Sequence, residues 1–193
     1  MTRLLGRAPW TTDGELDDAQ RALRDRISDD WGGGAVGLSP VDGDGRLVGP
    51  FDLMAASPQV GGAVLAMATS FRDAELSAAE RELVILVIAV AEDSEFMWEG
   101  HAPVAREAGV PADAIDAIAR GDASSTEDPL RTVQDIAQRL ATDGDLDDET
   151  FTRAVEVLGW RRLQEVVWLT GLYQALGLAM RVARTPLPAR QEG

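Results

Sequence analysis

Apolar positions along this chain recur at three- and four-residue steps, and nowhere do they alternate for long enough to describe a strand. Between Glu15 and Asp30, Leu16, Ala19, Leu23 and Ile27 fall at helical steps with charges between them, which predicts an amphipathic surface helix. Ser57 can cap, and Pro58 can open, a helix to about Arg72 with Val60, Val64, Met67 or Ala68, and Phe71 on its apolar face. Val110-Pro111 opens a short helix through Ala119, ended by Gly121, and Pro129 to Ala141 places Leu130, Val133, Ile136, Ala137 and Leu140 on one face. Asp147 caps a helix carrying Phe151, Ala154, Val155 and Leu158, which Gly159 closes. The last helix, Trp160 to about Ala183, is the longest. Its centre from Val166 to Met180 is strongly apolar, but Glu165, Thr170 and Gln174 leave an uninterrupted span too short to cross a bilayer comfortably. It is expected to be a core or subunit-interface helix, with Gly171 and Gly177 permitting close approach.

The connections are polar or glycine-rich. Trp31-Gly-Gly-Gly-Ala-Val-Gly reads as a flexible connection, because no strand precedes it and no lysine or serine follows at P-loop spacing. Leu38 to Gly49 reads as a long loop, Val48 to Met54 as a lead-in to Ser57-Pro58, Asp122 to Asp128 as a polar loop, and the tail from Thr185 as frayed.

Candidate chemistry concentrates between Ser77 and Gly109. Ser77-Ala78-Ala79-Glu80 is a capping box, so a helix starts near Ala78; the apolar run Leu83 to Ala91 would pass for a buried strand, but the cap and the length favour a core helix. Glu82, one turn in, has Ile85, Leu86 and Ala89 as helical neighbours. Two readings stand: a carboxylate solvated at a helix edge, or one leaning into apolar company. Burial disfavours the charged form of a carboxyl group, which lets such a group hold or deliver a proton near neutral pH. A second helix follows, capped by Ser94, in which Ser94, Met97, His101, Ala105 and Ala108 form a stripe; Trp98 lies beside it and can wall a pocket. Pro103 has no N–H for the Glu99 carbonyl, so a kink at His101 is expected. Tyr173, the only tyrosine, either places its hydroxyl in a pocket or packs at an interface.

Composition removes several function classes. The 193 residues, 45% hydrophobic, suit one well-buried core, and no N-terminal apolar segment resembles a signal peptide, so a cytoplasmic location is expected. The net charge of −15 argues against nucleic acid and against an anionic membrane surface as partners. An anionic substrate needs a local arginine, and Arg72, Arg81, Arg106, Arg161 or Arg162 can supply it. With no cysteine there is no thiolate nucleophile or thiol redox couple, and with every basic residue an arginine there is no Schiff-base lysine. One histidine does not build the usual zinc site, so no metal or other cofactor is expected.

The order L-x-G-P-F-x-x-M-x-x-S-P from Leu47 to Pro58, L-S-x-x-E-R-E-L from Leu76 to Leu83, and E-F-x-W-x-x-H-x-x-x-A-x-x-A-G-V from Glu95 to Val110 resembles the carboxymuconolactone decarboxylase-like family, within the alkylhydroperoxidase D-like superfamily. The resemblance runs from about Leu47 to Met180. It implies an all-α bundle of about eight helices at residues 47–184, behind an N-terminal helix-and-loop extension at 1–46 and ahead of a frayed tail at 185–193. In the peroxidase branch it implies a glutamate and then a C-x-x-C pair followed by a histidine; the matching positions here are Glu82, then Ser94 and Met97, then His101. Both cysteines are replaced, so thiol peroxidase activity is disfavoured. The decarboxylase branch implies a cofactor-independent lyase, with His101 and Glu82 as acid/base residues and Trp98, Ser94, Met97, Tyr173 and Arg81 around a small cyclic carboxylate or lactone. A non-catalytic small-molecule-binding or scaffold protein of the same fold is the alternative. The resemblance further implies a homo-oligomer, trimeric or hexameric.

Overall fold

The structure, a computed structural model, describes residues 4–9, 13–31, 39–42, 45–122 and 129–187. Among them run eight helices: α1 Asp18–Trp31, α2 Pro50–Ala55, α3 Pro58–Ser70, α4 Ala78–Ala91, α5 Glu95–Glu107, α6 Ala112–Ala119, α7 Leu130–Thr142 and α8 Asp148–Ala183. The fold is the expected all-α one. The glycine run after Trp31, most of the loop after Asp122 and the end of the tail lie outside the described residues.

Helix α4 is the axis of the molecule. From Leu83 to Ala89 every side chain is buried, which is why its sequence is apolar all round, and α5, α7 and α8 pack directly against it. A run so rich in valine and isoleucine has weak helical preference of its own, and its start is held by both arms of the capping box. Ser77 Oγ accepts from Glu80 N at 3.3 Å, and Ser77 N donates to Glu80 Oε2 at 2.8 Å. The buried Glu80 carboxylate also pairs with Arg162 on α8. Beside this core, α1, α2 and α3 close a smaller cluster of Leu23, Ile27, Phe51, Met54 and Leu65.

Four local expectations change. A two-stranded hairpin, Leu4–Leu5 against Ala8–Pro9, precedes the helices; strands of two residues are too short to show alternation. Pro50–Ala55 is a helix rather than a lead-in, packed so closely on α3 that a side chain at Gly61 would meet the Met54 carbonyl. Gly159 does not end a helix: it bends one, with φ 76° and ψ 161° inside the continuous run of α8. Gly177 lies against Glu92, whereas Gly171 faces open space and permits no close approach within the chain.

Candidate active site

The turn Glu92–Ser94 folds α5 back along α4: Ser94 N donates to the Ala89 carbonyl at 2.8 Å, and Ser94 Oγ caps α5 by accepting from Met97 N. This return brings His101, two turns into α5, opposite Glu82, one turn into α4. His101 Nδ1 and Glu82 Oε2 are 2.8 Å apart, and both residues are buried. The buried reading of Glu82 is therefore the one the packing selects, and its partner is the chain's single histidine. Helix α5 runs unbroken through Pro103, whose missing N–H falls on an exposed face.

Tyr173, from α8, stands edge-on to His101, with ring centroids 5.4 Å apart and planes at 84°. Burial drives its phenol well above the ordinary range, the Glu82 charge adds to this, and Arg81 opposes it. At neutral pH the phenol holds its proton and can only donate or accept a hydrogen bond.

Two cavities meet at this trio, and His101, Tyr173 and Ala68 line both. One, of about 50 Å³, is almost wholly apolar, walled by Phe51, Met54, Phe96, Met97, Leu176 and Met180, with no exposed residue in its lining. The other, of about 140 Å³, is more polar: Arg81 and Glu82 enter its wall, and exposed Arg72 and Ala78 stand at its rim. Arg81 is steadied by donating from Nη1 to the Phe71 carbonyl at 3.0 Å.

Residues 58–133 match the model of the carboxymuconolactone decarboxylase family. The chain is carboxymuconolactone decarboxylase-like. That span carries Glu82, Arg81, Met97 and His101 but stops short of Tyr173. The fold is that of a solved structure described as an alkylhydroperoxidase AhpD core, an uncharacterized peroxidase-related protein from Ralstonia eutropha JMP134: the TM-score is 0.73 at 15% identity, covering 95% of this chain and 93% of that one. No curated protein matches the sequence.

Of the site residues expected in this carboxymuconolactone decarboxylase-like chain, the structure brings together Glu82, His101, Tyr173, Met97 and Arg81. Trp98 lines neither cavity; it is half-buried against the main core. Ser94 caps α5 and faces a separate groove with Glu92 and Arg181. The apolar walls from α2 and the end of α8 were not foreseen, because only the long-range packing of these helices brings Phe51, Met54, Leu176 and Met180 to His101. No cluster of three or more potential metal ligands occurs among the described residues.

Proposed function

We propose that this protein is a cofactor-independent lyase that works by proton transfer on a small cyclic carboxylate or lactone. The buried Glu82–His101 pair carries the reading. With Nδ1–H donated to the Glu82 carboxylate, the imidazole is held in one orientation and its Nε2 is the basic nitrogen. In that role Nε2 takes a proton from carbon beside a carbonyl, or, as imidazolium, returns one after a carbon–carbon bond has broken and its electron pair has moved onto an enolate oxygen. The Tyr173 hydroxyl, still protonated, donates to that oxygen, and the apolar walls exclude water. The peroxidase description of the similar structure does not carry over, because this chain has no cysteine to attack a peroxide.

A panel of small lactone acids in deuterated water tests this, with turnover and carbon–deuterium exchange followed by NMR. For a substrate found this way, His101→Ala is expected to lower the rate by about 10²- to 10⁴-fold, the usual worth of a general acid/base group. Glu82→Gln should lower it less and be partly compensated as pH changes, since it alters the orientation and basicity of the imidazole without removing it. Equal rates in wild type and both variants would overturn the assignment. Ligands that bind in the wild type without turnover or exchange would favour the binding-protein reading.

A further inference from the structure

The inner face of α8 presents Tyr173 to His101; its outer face is apolar and uncovered. Trp168 (62% exposed), Leu178 (52%) and Val182 (62%) stand in water, and the exposed Gly171 and Ala175 complete the series 168, 171, 175, 178, 182. These steps of three and four residues describe a single stripe of the kind that seats one helix against another. From Val166 to Met180 there is no charged residue, in a chain where 26% are charged. A contiguous uncharged stripe on a charged surface marks a contact.

The order of sizes along the stripe identifies the occupant. Reversed about Ala175, the series is complementary to itself: position 171 falls opposite 178, and position 168 opposite 182. Gly171 has open space around it, which a leucine fills. Beside Val182 lies an apolar groove of about 650 Å³, walled by Arg7, Ala8, Leu53, Leu178 and Ala179, which accepts an indole ring. Only small residues meet at the centre, where the backbones come closest.

We propose that the outer face of α8 is a two-fold interface, on which a second copy of this chain lays its own α8 antiparallel. The partner's Leu178 covers Gly171, and the partner's Trp168 enters the groove beside Val182. Such a contact is isologous, with the same patch used on both copies. A hexamer with two-fold axes contains it, and a simple cyclic trimer does not. A lipid surface fits less well: α8 is long and apolar enough to cross a bilayer, but 44% of its most apolar window is already buried inside the molecule.

The absence of cysteine supplies a clean test. In the full chain, Ala175→Cys places one thiol per copy beside the two-fold axis, within reach of its own mate. Mild oxidation should cross-link this variant nearly completely, while Ala66→Cys, on the exposed face of α3, should stay uncoupled. Sedimentation should show wild type as a dimer or a larger assembly of dimers. Gly171→Trp and Leu178→Arg, both at exposed positions, should halve the mass or more while leaving the circular dichroism unchanged. Three results would overturn the proposal: wild type monomeric at 100 µM, which is about a generous upper working concentration for a stable dimer; an oligomer that neither substitution disturbs and Ala175→Cys fails to cross-link; or wild type that pellets with phosphatidylcholine vesicles instead of self-associating.

Discussion

Asp52 shows how one residue's burial becomes a property of the whole fold. It sits in the first turn of α2 among buried neighbours, and burial pushes its carboxyl up to about 6. Between about pH 4 and pH 6 the folded chain holds this proton while the unfolded chain has released it, so this group's contribution to stability falls as pH rises through that window and is flat above it. Asp52→Asn should therefore raise stability at pH 7 by about 1 to 2 kcal/mol, allowing for solvent near the carboxyl, and do little at pH 4; denaturant melts at the two pH values check this. Gly49 is the other residue whose local need reaches the site. Its φ of 65° suits glycine, and a Cβ there would fall 2.1 Å from the Phe96 ring, which walls the apolar cavity. Gly49→Ala should cost more than about 1 kcal/mol and displace Phe96, detectable as a change in the histidine ring signals by NMR.

At the scale of elements, the helices whose ends carry a chemical signal were legible. Ser77 and Glu80 announce α4, Ser94 announces α5, Asp147 announces α8, and each makes the cap its sequence suggests. Removing the first of these with Ser77→Ala should destabilise the protein by about 1 kcal/mol in thermal or urea unfolding, since one arm of the capping box goes and the start of α4 frays. Helix α2 gave no comparable warning: six residues are too few for a period, and Gly61 lets it form only against α3. Gly159 was visible as a break but not as a bend. The chain continues past it because Glu165 accepts hydrogen bonds from the backbone N–H groups of Glu75 and Leu76, at 3.0 and 2.8 Å, fastening the far side of the bend to the start of α4. Gly159→Ala forces an alanine into glycine's region of backbone space and should cost about 1 to 3 kcal/mol, measured by the same melts.

The whole molecule is an acidic shell around one apolar axis. Each copy carries −15, and the proposed contact along α8 has no charge to offset the repulsion between copies. Association should consequently strengthen as salt is raised from 20 to 500 mM, a range over which screening shortens from about 20 Å to about 4 Å. A weakening would point to ion pairs elsewhere as the glue, and sedimentation at the two salt concentrations separates the cases.

The sequence by itself determined the class of fold, the identity of the central helix and the pair Glu82 and His101. These depend on periodicity, caps and residue chemistry, which are local and survive without a partner. Only the tertiary structure decided that Glu82 is buried, that Tyr173 stands beside His101 while Trp98 and Ser94 do not line the cavities, and that α8 turns one apolar face inward and leaves another bare. Helical spacing says which residues share a face. Which face meets which neighbour depends on how helices far apart in the chain cross, and that is set by the packing of the whole core.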